Sequence, residues 1–219
     1  MFGFFKKNKP HIDSISFPTF GWELVKDTKE LKQWLNPEQS QSLTVNFFDK
    51  KPDLPTIKQE ETLRQFFRQQ LIAANGGIVE VNIKQWANCS YVKNVFKIPQ
   101  EPSGMTYLGS LIFPFKQYSY VVKIQAIEVG TTGMRESVIM NNLLAAGAID
   151  VGENGLAGWS QDPYQPDFKE GTPMNLAEVE AYDVQFTTHP LSQIRQGLRL
   201  IEEELELGES LQKLAPFGH

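Results

Sequence analysis

Tyr118-Ser-Tyr-Val-Val-Lys-Ile-Gln-Ala-Ile-Glu-Val129 decides the architecture. Tyr118, Tyr120, Val122, Ile124 and Ala126 fall on one side of an extended chain, and Ser119, Lys123 and Gln125 on the other. A period of two marks a strand with one buried face. Just upstream, Tyr107, Leu111 and Phe113 alternate with Thr106 and Ser110, and Pro114-Phe-Lys-Gln117 is short enough to close a hairpin between the two runs. Downstream, Gly130-Thr-Thr-Gly133 breaks the strand. Met134 to Ala146 then resumes at helical spacing, with Val138, Leu144 and Ala145 among its apolar positions.

Further out, Ile78 to Lys84 and Ser90 to Ile98 read as antiparallel neighbours, with Trp86-Ala-Asn-Cys-Ser90 between or within them. Glu60 to Asn75 is an amphipathic helix: Leu63, Phe66, Phe67, Leu71 and Ala74 recur at gaps of three and four, and Gly76-Gly77 ends it. Leu43 to Phe48 reads as a strand that stops at Asp49-Lys-Lys-Pro52, and Leu31 to Leu35 as a single helical turn ended by Asn36-Pro37. The last long helix begins near Pro190, with Leu191, Ile194, Leu198, Ile201 and Leu205 as its stripe. That stripe is too short for a coiled coil, so packing on the body is expected over self-association. Glu202, Glu203, Glu204, Glu206 and Glu209 are expected on its wet face.

Helices on both faces of an antiparallel sheet define an α+β fold, an α/β/α sandwich. It is assigned to residues 1–149, and residues 150–219 to an acidic, loop-rich extension ending in a helix that packs on the same body. A chain of 219 residues buries roughly 70% of its unfolded surface, enough for a real core. The longest apolar run is far below a membrane span. The net charge of -5 gives no footprint for nucleic acid, and Cys89 alone excludes an internal disulfide or a thiolate metal cluster. Met1-Phe-Gly-Phe-Phe-Lys-Lys places its charge after its apolar residues, the reverse of an export signal, so a cytoplasmic location is expected. Phe2, Phe4 and Phe5 read as an end that docks on the body.

The order of strand, helix, four strands and helix resembles the PsbP-like superfamily, over about residues 20–146. The likeness is carried by Leu43 to Phe48 before the Glu60 helix and by the long hairpin before Gly130-Thr-Thr-Gly-Met-Arg-Glu136. That superfamily includes a photosystem subunit, a Ran-binding import factor and bacterial lipoproteins. The resemblance implies a binding or assembly role without a shared catalytic site, and it transfers no residues.

Chemistry is sparse in the text of the chain. His11, His189 and His219 are the only histidines and none has another within five residues, so no metal site and no cofactor is expected. Asp162-Pro-Tyr-Gln-Pro-Asp167 lacks the calcium-loop pattern and reads as turn chemistry. Cys89 reads as a small buried residue, and His189 before Pro190 as a helix cap that is also the one centrally placed base. Thr131, Thr132 and Arg135 stand where a polar turn enters a helix, with Glu128 close by along the strand. They could form an anion or partner site, or Arg135 could pair with Glu128 while Glu136 supports the helix start.

Charge is uneven. Residues 150–190 hold eight acids and one base, a net of -7, which leaves the rest at +2. Trp159, Tyr164 and Tyr182 make this segment too aromatic for a plain linker, so it is expected to wrap the body. The leading expectation is a non-catalytic bacterial interaction or assembly protein, of the kind that neutralises a toxin or builds a larger machine. Its acidic segment and last helix would meet a protein partner with a basic surface, through Trp159, Tyr164 and Tyr182. The alternative is an enzyme or small-ligand protein with a cleft near Glu128, Thr131, Thr132, Arg135 and His189. Assembly state is left open by the sequence.

Overall fold

The computed structural model describes residues 9–86, 89–153 and 155–218. Phe2, Phe4, Phe5, Asn88 and His219 lie outside the described residues. In chain order the strands and helices are β1 (Ile15–Ser16), β2 (Glu23–Asp27), β3 (Leu31–Leu35), β4 (Gln41–Phe48), α1 (Glu60–Ile72), β5 (Gly77–Trp86), β6 (Cys89–Pro99), β7 (Met105–Pro114) and β8 (Ser119–Ile127). There follow α2 (Met134–Ala145), β9 (Asp150–Gly152), β10 (Gly155–Ala157), α3 (Pro190–Glu204), β11 (Glu206–Leu207) and α4 (Glu209–Gln212).

Seven strands form one antiparallel sheet in the order β2-β3-β4-β8-β7-β6-β5. β8, the strand with the clearest alternation, lies at its centre and places Tyr120, Val122, Ile124 and Ala126 in the core. The two faces are covered by different helices, which is the α/β/α arrangement of an α+β fold. α3 buries Leu191, Ile194, Leu198, Ile201 and Leu205 against Leu43, Val45, Tyr107, Leu111 and the core face of β8. α1 buries Leu63, Phe67 and Leu71 against Ile78, Val81 and Val92 on the other face. Two glycines let α3 approach closely. A Cβ on Gly109 of β7 would stand 2.3 Å from Ile194 Cγ2, and one on Gly197 of α3 would stand 2.5 Å from Ile124 Cδ1.

Three local expectations are corrected. Leu31 to Leu35 is a strand, because pairing with both β2 and β4 overrides the spacing of Leu31, Trp34 and Leu35. In α2 the buried positions are Arg135 and Ile139, while Val138 is exposed. Glu202 is not wet: it accepts from Tyr91 Oη at 2.6 Å and Lys93 Nζ at 2.8 Å on the α3 face of the sheet. Glu203, Glu204, Glu206 and Glu209 are exposed. Among the described residues no helix is long and apolar enough to cross a membrane.

The acidic segment is stitched to the body by its own acids. Arg68 of α1 grips Asp162 through Nε at 3.0 Å and Nη2 at 2.9 Å. Lys97 of β6 donates to Glu178 at 2.7 Å, and Asp183 takes Arg135 at 2.9 Å and Arg195 at 3.1 Å. Each of these three acids is buried. Asp162 also accepts from the amides of Tyr164 and Gln165, the turn chemistry expected of it. Burial alone would push the Asp162 carboxyl up, but Arg68 and the two amides outweigh it and hold it below the usual aspartate range.

Candidate functional site

The end of β8, the first turn of α2 and the first turn of α3 converge on one cavity of about 370 Å³. Glu128, Thr131, Arg135 and His189 line it, as do Gln41 and Gln193, which bond each other at 2.9 Å. Of the cleft residues expected from sequence, Thr132 alone is not among the lining: its hydroxyl donates to Ser103 at 3.1 Å. Two glycines shape this corner. Gly130 and Gly133 adopt φ of 71°, a left-handed turn that reverses the chain from β8 into α2.

Arg135 is committed elsewhere. It is fully buried and donates from Nε to Ala177 O at 2.7 Å, from Nη1 to Ser192 Oγ at 2.8 Å and from Nη2 to Val179 O at 3.2 Å, besides its ion pair with Asp183. The pairing with Glu128 that nearness along the chain suggests does not form. Arg135 is a hub that ties α2 to the 176–185 turns and to α3.

Glu128 is held by two backbone amides, Oε2 accepting from Met105 N at 2.8 Å and Oε1 from Gly133 N at 3.0 Å. His189 caps α3: its Nδ1 accepts from Leu191 N at 3.2 Å, which assigns the ring proton of the neutral form to Nε2. Among the described residues that Nε2 is buried without a hydrogen-bond partner, 3.6 Å from Glu128 Oε1. The ring packs edge-on against Tyr107, whose hydroxyl is turned away to Glu178. Glu136, next to Arg135 in sequence, completes the cluster, and both of its carboxylate oxygens are buried and unpartnered. Ligating atoms of Glu128, Glu136 and His189 all lie within 4.8 Å of one another.

The two carboxylates differ. Burial would push both up. At Glu128 the nearby His189 and the Gly133 and Met105 amides prevail and hold it below the ordinary range. At Glu136 burial prevails, opposed by its own backbone amide and by His189, and the carboxyl stays above the ordinary range. Two carboxylates and an imidazole can share protons or hold a divalent cation between them. Glu136 carries no sequence signal of this, since a glutamate in the first turn of a helix is commonplace.

The three aromatic positions expected to meet a partner are each half-buried, and none lines the cavity. Tyr164 is occupied at the body, its hydroxyl accepting from Val81 N at 2.9 Å and its ring lying 3.7 Å beneath the Arg64 guanidinium. Trp159 lies where the chain pairs with itself, its carbonyl accepting from Leu176 N at 2.9 Å. Tyr182 sits in the short helical turn at 180–185. Cys89 is buried, and burial pushes its thiol up to about 11, far from a reactive thiolate.

No family model matches the chain, and no curated protein matches it. Several solved structures show a similar chain course. The Saccharomyces cerevisiae Ran-binding protein Mog1p is similar with a TM-score of 0.43 and 10% identity, over 89% of this chain and 90% of that one. A point mutant of Mog1 gives 0.41 and 10%, over 90% and 93%. A protein from Bacteroides thetaiotaomicron gives 0.34 and 9%, over 53% of this chain and 39% of that chain.

Proposed function

We propose that this chain is a non-catalytic, cytoplasmic interaction protein that meets a protein partner on the surface around α2. The observation that carries the reading is the placement of exposed aliphatic side chains. Val129, Met134, Val138, Val179 and Val184 are all exposed, Met134 at 55% and Val184 at 80%. The Arg135 hub brings the 179–183 turn, which carries Val179 and precedes Val184, against the first turn of α2, where Met134 stands, because it binds the carbonyl of Val179 and the carboxylate of Asp183. Apolar groups gathered on one face, rather than scattered, mark interaction surfaces.

Glu38, exposed at the cavity, gives this surface an acidic edge, whereas Glu180 beside Val179 is paired with Arg199 at 2.6 Å. A partner with an apolar centre and a basic rim fits it. The element order supports a place in the PsbP-like superfamily, and with it an assembly role. Met134→Glu combined with Val184→Glu tests the surface. Both side chains are exposed, so stability should stay within about 0.5 kcal/mol. Partners captured on the full-length chain from an extract of its source organism should be lost with the double variant. Recovery of the same partners by the folded variant would overturn the proposal.

A further inference from the structure

We propose that Glu128, Glu136 and His189 bind a divalent transition-metal ion of the zinc type, a site independent of the interaction reading above. Three observations carry it. The ligating atoms come within 4.8 Å of one another from three separate elements. Among the described residues Glu136 Oε1, Glu136 Oε2 and His189 Nε2 are buried without a hydrogen bond, the imidazole nitrogen standing 3.6 Å from Glu128 Oε1. His189 and Glu128 side chains are only 9% and 7% exposed. Buried polar atoms in native proteins find partners as a rule, so unbonded ones gathered in one cluster point to a missing partner.

The surroundings suit an ion. Glu128 is oriented by the amides of Met105 and Gly133, the kind of outer support that fixes ligating carboxylates. The adjoining cavity, lined by Glu128 and His189, gives entry and room for water on the open side of three protein ligands. One imidazole nitrogen with two carboxylates favours zinc, cobalt or nickel over magnesium or calcium, which take oxygen ligands.

Binding has a specific structural consequence. The ion needs the Nε2 lone pair, so the ring proton must move to Nδ1, and the bond from Leu191 N is given up. One capping bond is a small loss beside three metal-ligand bonds, so the exchange favours the ion. Metal binding and the first turn of α3 are thereby coupled.

The test uses the full chain, stripped with a chelator and titrated with Zn²⁺ by calorimetry and with Co²⁺ by visible absorption. One ion per chain is expected, with a higher melting temperature and a shifted Leu191 amide resonance. Glu136→Gln and His189→Ala should each weaken binding by about 100-fold or more, while His11→Ala and His219→Ala leave it unchanged. Because Glu136→Gln is isosteric, folding is checked by circular dichroism and this variant decides if His189→Ala does not fold. Absence of binding, binding that survives in folded Glu136→Gln, or preference for Mg²⁺ over Zn²⁺ would each overturn the site.

Discussion

Arg135 and Glu136 are neighbours in one helical turn, and their environments are opposite. Arg135 meets two carbonyls, a hydroxyl and a carboxylate, whereas the Glu136 carboxylate finds no hydrogen bond from any other described residue. The same division runs through the molecule. Glu178 fills its oxygens with Tyr107, Lys97 and the Asn175 amide, and Asp162 with Arg68 and two amides. Clusters of the first kind hold the 150–190 segment on the sheet. In the Glu128, Glu136 and His189 cluster, by contrast, both Glu136 oxygens are left without a hydrogen bond among the described residues, the feature on which the proposed ion site rests.

The contrast is broken most severely at Lys97 and Glu178, whose side chains are 1% and 0% exposed. Glu178→Gln keeps the acceptor for Tyr107 but leaves the ammonium of Lys97 buried without a counter-charge. Removing one partner of a buried pair costs about 3–5 kcal/mol, and urea unfolding should show a loss in that range. Adding Lys97→Met removes the stranded charge and should recover much of it, since an apolar replacement for a buried pair is often neutral. A loss under about 1 kcal/mol for Glu178→Gln would mean that the pair is not a clamp.

Asp162 sharpens the comparison through pH. Its carboxyl is held below the ordinary value of about 3.9 by Arg68 and two amides. A depressed folded-state value contributes stability that is complete above the unfolded value and lost as pH falls through the lower, folded one. Asp162→Asn should therefore cost about 2–3 kcal/mol at pH 6, and the gap between the two proteins should narrow below pH 4. A gap that stays constant down to pH 3 would show that the loop is not held by the charge.

How much of this was legible in the sequence follows the same physics. Strand β8 declares itself because one face is buried and the other is polar, so alternation survives, whereas β6, buried on both faces from Tyr91 to Val95, is legible through its β-branched and aromatic residues. β2 is exposed along its whole length, so no apolar face announces it. α3 is legible because five apolar residues keep strict spacing against the sheet. Charge is the least legible property. The eight acids of 150–190 sum to a patch on paper, but Asp162, Glu178 and Asp183 are turned inward onto arginines and a lysine from elements up to 94 positions away. Composition counts charges without their partners. The cavity is largely legible, since Glu128, Thr131, Arg135 and His189 all line it, but in the adjoining cluster nothing separates Glu136 from an ordinary helix-start glutamate.

The finest distinction concerns the sign of an effect at Glu136. In chelator-treated protein, Glu136→Met replaces a buried carboxylate that lacks partners with an apolar side chain of similar length. A satisfied acid treated in this way would destabilise the fold, as Glu178 should. An orphaned one carries a desolvation penalty of about 1–3 kcal/mol, and imperfect packing of the new side chain takes back part of the gain. The net expectation is a stabilisation of about 1 kcal/mol in urea unfolding. In saturating Zn²⁺ the order should reverse, because only the parent chain gains stability from binding. A destabilised Glu136→Met in both conditions would make Glu136 one more anchor, and the division between its cluster and the clamps would disappear.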